Sequence, residues 1–256
     1  MSSGRPISEP TADPLVQART RLAVLPQIRS WVLWPVVMAV VVLALGFSAK
    51  YIPRYTPAEL SVDQEISAHH DGFLNAVALT LNTLFGPLGG AVLLAMACLY
   101  LLLVRRAPVN AIAFGTVSAV GWLSCQIFKV IVGRHRPDQA LLANPLAPES
   151  ASDSFPSGHV CLAVALAFAI HYLARQTSWQ KPAMGFGIAM VAVVALSRLY
   201  IGVHYPTDVL ASVIAASAAV LFFTGLWNRY ATAAIARITV LARFGPIPAR
   251  ADRDSI

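Results

Sequence analysis

The sequence predicts an all-α fold: an integral membrane bundle of six transmembrane helices with short interfacial helices. Three observations predict it. The chain is 57% hydrophobic and 12% charged, against roughly 25% charge in soluble domains. Its mean hydropathy is +0.65. It also contains six long apolar runs, at 31–49, 86–104, 109–132, 156–174, 183–200 and 207–227. Each is close to the roughly 20 residues that cross a bilayer core.

The formal net charge of +7 is explained by cytoplasmic loop cations rather than by a nucleic-acid partner. Cys98, Cys125 and Cys161 all sit within apolar runs and show no CxxC spacing. They are expected as small apolar fillers, neither disulfide-bonded nor zinc-binding.

Residues 1–30 contain Pro10, Pro14, Pro26, Arg5, Arg19, Arg21 and Arg29 without a sustained apolar run. A mobile cytoplasmic tail is expected there, with at most a short surface helix near its end. The membrane domain spans 31–227. A cleaved signal peptide competes for the first run, because Phe47-Ser48-Ala49 supplies small residues after it. The long leader favours a retained span. Residues 50–64 are polar and carry Pro53 and Pro57. Residues 66–85 mix apolar positions with His69, His70, Asp71, Asn75, Asn82 and Thr83, which predicts an amphipathic interfacial helix.

The second run stops at Arg105-Arg106-Ala107-Pro108. Along the third, Gly115, Ser118, Gly121 and Ser124 recur at helical spacing, a small-residue seam suited to close packing in lipid. A proline-bearing loop, 133–155, precedes the fourth run, and Arg175, Lys181 and Pro182 follow it. Most tryptophans lie near span ends and suit interfacial anchoring; Trp122 is mid-span and is expected to pack on another helix. Residues 228–256 form a basic cytoplasmic tail, and 229–244 are expected as a basic amphipathic helix on the inner surface.

Three segments hold the chemistry: 129–137, 156–159 and 197–208. The crossing count puts all three on one side of the membrane. The two tails, Arg105-Arg106, and Arg175 with Lys181 fall on the other. The excess of loop cations makes that second side cytoplasmic and the motif side extracytoplasmic. Counting 66–85 as a seventh crossing would put Arg105-Arg106 outside, a further reason to reject it.

Lys129, Arg136 and Arg198 are cations of the kind that hold phosphate, the guanidinium in a two-pronged geometry. Asp138, Glu149 and Asp153 offset them only in part. Ser157 and Gly158 open a helix whose free N–H groups favour an anion. The competing reading makes these cations snorkelling side chains that hold lipid headgroups, but it leaves His159 and His204 at helix mouths unexplained. Asp208 lies four residues beyond His204 across Pro206, so a carboxylate can hold one imidazole nitrogen and free the other as a nucleophile. His159 is the candidate general acid. His69-His70-Asp71 fits a solvated boundary better than a metal site.

Together, Lys129-(six residues)-Arg136-Pro137, Pro156-Ser157-Gly158-His159 and Ser197-Arg198-(five residues)-His204-(three residues)-Asp208 resemble the three-part signature of the type 2 phosphatidic acid phosphatase family, which shares its phosphate pocket with vanadium-dependent haloperoxidases. The resemblance covers about 60–227. It implies that His204 attacks phosphorus and Asp208 orients it. Lys129, Arg136, Ser157, Gly158 and Arg198 hold the phosphoryl oxygens, and His159 protonates the leaving group. No metal or other cofactor is implied. The implied substrate is a lipid phosphate reached from the outer leaflet: a polyprenyl diphosphate such as undecaprenyl diphosphate, phosphatidic acid or phosphatidylglycerol phosphate. The six-span form resembles bacterial members, which places the chain in a bacterial plasma membrane. A non-enzymatic lipid-phosphate binder or transporter uses the same cations. A haloperoxidase fits less well, because the related peroxidases are soluble.

Overall fold

The computed structural model describes residues 13–147 and 153–247. Arg5, Pro10, Pro148, Glu149, Arg250 and Arg253 lie outside the described residues. The described chain is helical: α1 (Pro14–Arg19), α2 (Leu33–Tyr51), α3 (Tyr55–Ala68), α4 (Gly72–Phe85), α5 (Pro87–Leu99), α6 (Pro108–Val132), α7 (Gly158–Ala174), α8 (Gln180–Ile201) and α9 (Pro206–Ile235). A π-helical turn, Tyr100–Val104, lengthens α5. Five helices have the length and apolar composition to cross a membrane: α2, α5 with its π turn, α6, α8 and α9. The sixth expected crossing is α7, at 17 residues. It is sheathed by α6, α8 and α9, so its sides meet protein.

Around this centre the outer faces are apolar and open, as at Val36, Val40, Leu88, Met96, Ile188 and Leu196. A soluble monomer rarely exposes apolar patches of this extent, whereas lipid covers them without cost. The core joins Val160, Leu162 and Leu166 of α7 to Val109, Val117, Val194 and Val220. A second cluster locks α2 to α9 through Val42, Phe128, Val132, Phe155, Ala211 and Ala215.

Helix ends are set locally. Pro108 and Pro206 occupy first-turn positions, where a missing N–H costs nothing. Gly133 (φ 55°) ends α6 and Gly202 (φ 73°) ends α8. Both adopt the left-handed cap conformation that glycine takes without a Cβ penalty. Asp71 caps α4, accepting from the backbone N–H of Phe73 (2.8 Å) and Leu74 (3.1 Å). His70 stacks on Tyr200. Both residues thus have structural employment.

Four expectations are corrected. Residues 50–85 form two helices, α3 and α4, rather than a polar stretch followed by one surface helix. Tyr200 of α8 joins them to the bundle through Asp71 N–H and Asn75 Oδ1. Residues 13–30 are a docked strap rather than a mobile tail: Leu22 and Leu25 are buried, and Trp227 Nε1 donates to Leu22 O (3.0 Å). Asn228 exchanges hydrogen bonds with Leu25, and Asn110 grips Leu22 N and Ala18 O. Trp227 is therefore buried and bonded rather than an interfacial anchor. Finally, α9 runs on to Ile235, and a 3-10 turn at Thr239–Arg243 replaces the expected basic helix. Burial of Ile235 rewards the extension.

The small-residue seam on α6 is present. A Cβ on Gly121 would stand 2.7 Å from Ala165 Cβ and 2.9 Å from Val220 Cγ2, so three helices meet there. Gly121→Ala is expected to cost about 1–3 kcal/mol through overpacking. A lowered thermal midpoint of the detergent-purified protein, relative to Gly185→Ala in open space, checks this.

Candidate active site

The three segments meet because each sits at the same end of the bundle: the end of α6 with its following loop, the start of α7, and the turn from α8 to α9. A short antiparallel bridge, His135 to Asp153, with Ser154 N donating to Arg134 O (2.8 Å), fastens the first segment to the second. Lys129 Nζ donates to Asp153 O at 2.5 Å. Every expected site residue lies in this cluster.

Arg198 is fully buried. A guanidinium is costly there unless bonded, and α4 meets that need. Arg198 Nη1 donates to Asn82 Oδ1 (2.5 Å) and Nη2 to Ala78 O (3.4 Å). The backbone carbonyl of Asn82 lies 3.1 Å from His159 Nε2. A carbonyl only accepts, so this nitrogen carries the proton. The segment expected to lie flat at the interface thus forms a wall of the site.

His204 is 1% exposed. Its Nε2 lies 3.3 Å from Arg136 Nη1, which also donates to Val203 O (3.0 Å). That contact turns the imidazole lone pair toward the cations. Burial, then Arg136, Lys129 and Arg198, push the His204 pKa well below its usual range, so the ring is neutral at pH 7 and able to act as a nucleophile.

Asp208 differs from expectation. Its Oδ2 is 3.6 Å from His204 Nδ1, beyond hydrogen-bond reach. Its oxygens are taken by Arg134 Nη1 (2.8 Å) and by Tyr205 N–H (3.0 Å). The reason is geometric: as the third residue of α9, Asp208 reaches back to cap the helix. It therefore fixes the turn that carries His204 and lends the ring its charge at ion-pair distance.

Ser157 opens α7 without a side-chain cap. Its backbone N–H is committed to Ser212 Oγ (2.8 Å), while its own hydroxyl has no partner among the described residues. The following N–H groups, from Gly158 onward, form the uncapped start of the helix, with local positive potential. Among the described residues no group of three His, Cys, Asp or Glu is placed to hold a metal ion.

Sequence reasoning missed Arg134, Glu59 and Asn82. Arg134 is 3% exposed. Its Nη2 donates to Glu59 Oε2 (2.7 Å) and Thr56 Oγ1 (3.2 Å), and its guanidinium lies 4.0 Å from the Tyr205 ring centroid. Glu59 also accepts from Thr207 N–H (2.6 Å) and the Thr207 hydroxyl. A cation directly beyond an apolar run was the available signal for Arg134. Nothing in the sequence marks Glu59.

Beside this network Asp63 is fully buried, and neither carboxyl oxygen has a hydrogen-bond partner among the described residues. Burial, with Asp208 and Glu59 nearby, raises its pKa to about 8 against the pull of Arg134.

Two predictions follow from the network. Arg134→Ala strands the buried Asp208 carboxylate and the partly buried Glu59 and should destabilise the protein by about 3–5 kcal/mol. Arg134→Lys should recover only part of this, having charge but no fork, as read by thermal unfolding and by activity. For Asp63, the folded state holds a proton that the unfolded state releases above pH 3.8, so wild-type stability falls as pH rises from about 4 to 8. Asp63→Asn should abolish that decline and be the more stable form at pH 8, as read from thermal midpoints at pH 5 and 8.

Known proteins resemble this chain in sequence and in fold. Residues 108–232 match the PAP2 superfamily. The undecaprenyl-diphosphatase BcrC of Bacillus subtilis is 27% identical over 149 residues, 58% of this chain and 72% of that protein. The decaprenylphosphoryl-5-phosphoribose phosphatase of Mycolicibacterium smegmatis is 36% identical over 98 residues, 38% of this chain and about half (49%) of that protein. The crystal structure of a transmembrane PAP2 type phosphatidylglycerolphosphate phosphatase from Bacillus subtilis shares the fold, with TM-score 0.61 and 23% identity over 77% of this chain and 95% of that one. Residues 108–232 thus carry a domain that matches the PAP2 superfamily, in a chain with several helices long and apolar enough to cross a membrane.

Proposed function

We propose that the protein is an integral membrane lipid phosphatase that hydrolyses a lipid phosphomonoester or diphosphate through a phosphohistidine at His204. The observation that carries this reading is the position of His204 Nε2. It is buried, faces Arg136 at 3.3 Å, and stands within the field of Lys129 and Arg198. A phosphoryl group between these cations has its equatorial charge neutralised and its phosphorus in line with the imidazole lone pair.

In the first step Nε2 forms a bond to phosphorus and the bond to the leaving oxygen breaks. His159 gives that oxygen its proton, exchanging its bond to Asn82 O for one to the leaving group. Water then attacks the phosphohistidine, His159 takes a proton from it, the P–N bond breaks, and inorganic phosphate leaves. Lys129, Arg136, Arg198, the Ser157 hydroxyl and the Gly158 N–H hold the phosphoryl oxygens. Asp208 fixes the turn that aims His204.

The loop cations favour both termini in the cytoplasm and the site on the extracytoplasmic face. BcrC is named for undecaprenyl diphosphate, and the favoured substrate class here is a polyprenyl diphosphate, followed by phosphatidylglycerol phosphate and phosphatidic acid.

Purified protein should release phosphate from one or more of these lipids with EDTA present. His204→Ala should lower the rate by about 10³-fold or more and should abolish the acid-labile, alkali-stable phosphoenzyme trapped from radiolabelled substrate. Binding or movement of the lipid without phosphate release would instead identify a binder or transporter. Full activity in His204→Ala would sink the mechanism.

A further inference from the structure

The end of the bundle away from the cation cluster holds a cleft of about 1070 Å³. Its walls are α1, the π turn after α5, the start of α6, the end of α7 and the start of α8. Three arginines line it, Arg19, Arg21 and Arg105, and no aspartate or glutamate does so among the described residues. The rest of the lining is mainly apolar or aromatic, including Tyr100, Val104, Trp179 and Phe186, all exposed on the bundle's outside.

Arg19, at the end of α1, and Arg21, just beyond it, are held in place by the strap. Asn110 binds the strap on both sides of them, at Ala18 O (2.8 Å) and Leu22 N (2.9 Å). Arg21 Nη1 bonds Leu173 O (2.9 Å), leaving its other donors for a ligand. Surface cations usually snorkel freely; here two of the three are carried by a segment fastened to the bundle.

We propose that this cleft binds one anionic phospholipid of the surrounding bilayer. Its phosphate meets Arg19, Arg21 and Arg105, and its chains lie along Tyr100, Val104 and Phe186. The charge balance selects an anion. The apolar wall, open to the exposed faces of α5 and α8, selects a lipid over free phosphate. The volume is of the order of known ligand sites, about 300–1,000 Å³. The proposal is independent of the chemistry at His204.

Trp179 reports on the site directly. In bilayers of phosphatidylcholine containing a fixed small fraction of brominated lipid, the Trp179 signal is the difference between wild type and Trp179→Phe. Brominated phosphatidylglycerol should quench it more steeply than brominated phosphatidylcholine at equal mole fraction, by about fivefold for each engaged arginine. Arg19→Gln with Arg105→Gln should remove that preference while keeping the helical circular dichroism and monodisperse elution of wild type. Should the double variant lose its fold, Arg105→Gln alone, at an exposed position, should still reduce the preference. Equal quenching by the two lipids, or a preference that survives in folded variants, overturns the proposal.

Discussion

Arg134 binds two carboxylates with one guanidinium, at 2.8 Å to Asp208 and 2.7 Å to Glu59. Few contacts in the molecule have so many consequences. The arginine belongs to the loop after α6, Glu59 to α3, and Asp208 to the first turn of α9. One group thereby joins three elements that share little apolar core. Glu59 passes the constraint on through Thr207, and Asp208 passes it on through Tyr205 N–H. The turn between α8 and α9 is held from both sides, and His204 sits in that turn. Paired buried charges contribute little net stability over apolar replacements, but they fix geometry. In this chain that geometry is the direction in which an imidazole points.

The same reasoning applies to Arg198 and α4. A buried guanidinium needs acceptors, and Ala78 O and Asn82 Oδ1 provide them. Asn82 then serves twice, since its carbonyl also holds His159. One asparagine thus sets the relation between the arginine proposed to bind phosphate and the proposed proton donor. Losing it would disturb both, although it has no part in the chemistry.

What was legible in the sequence divides along a physical line. Lys129, Arg136, Ser157, His159, Arg198, His204 and Asp208 were readable because their spacing along each segment is local, and each segment abuts an apolar run whose end fixes its side of the membrane. Partners supplied by tertiary packing left no such trace. Glu59 lies in a polar stretch with no periodic signal, and Asn82 looked like one more polar residue in an ambiguous segment. α3 and α4 were misread for a related reason: a few of their polar residues, Glu59, Asp63, Ser67 and Asn82, turn toward the protein rather than outward, and composition alone reads polarity as contact with water. The strap at 13–30 was misread because two leucines, Leu22 and Leu25, carry its docking, too few to register as an apolar run. The extension of α9 likewise depended on burial of a single residue, Ile235.

α7 ties these observations together. It is too short to be a comfortable span on its own and is held almost entirely by other helices, so its position is set by packing rather than by lipid. That suits a helix whose first turn is proposed to present Ser157, Gly158 and His159 to a phosphoryl group, a task with sub-ångström tolerance. A lipid-facing helix tilts and shifts with bilayer thickness; a sheathed one is screened from that variation. The small residues along α6 permit the sheath, since a Cβ at Gly121 would collide with Ala165 and Val220. The seam that the sequence displays as a packing motif is thus also a condition of the proposed chemistry. It lets α7 stand at the centre, with His159 at one end and Leu173 and Ala174 lining the arginine cleft at the other.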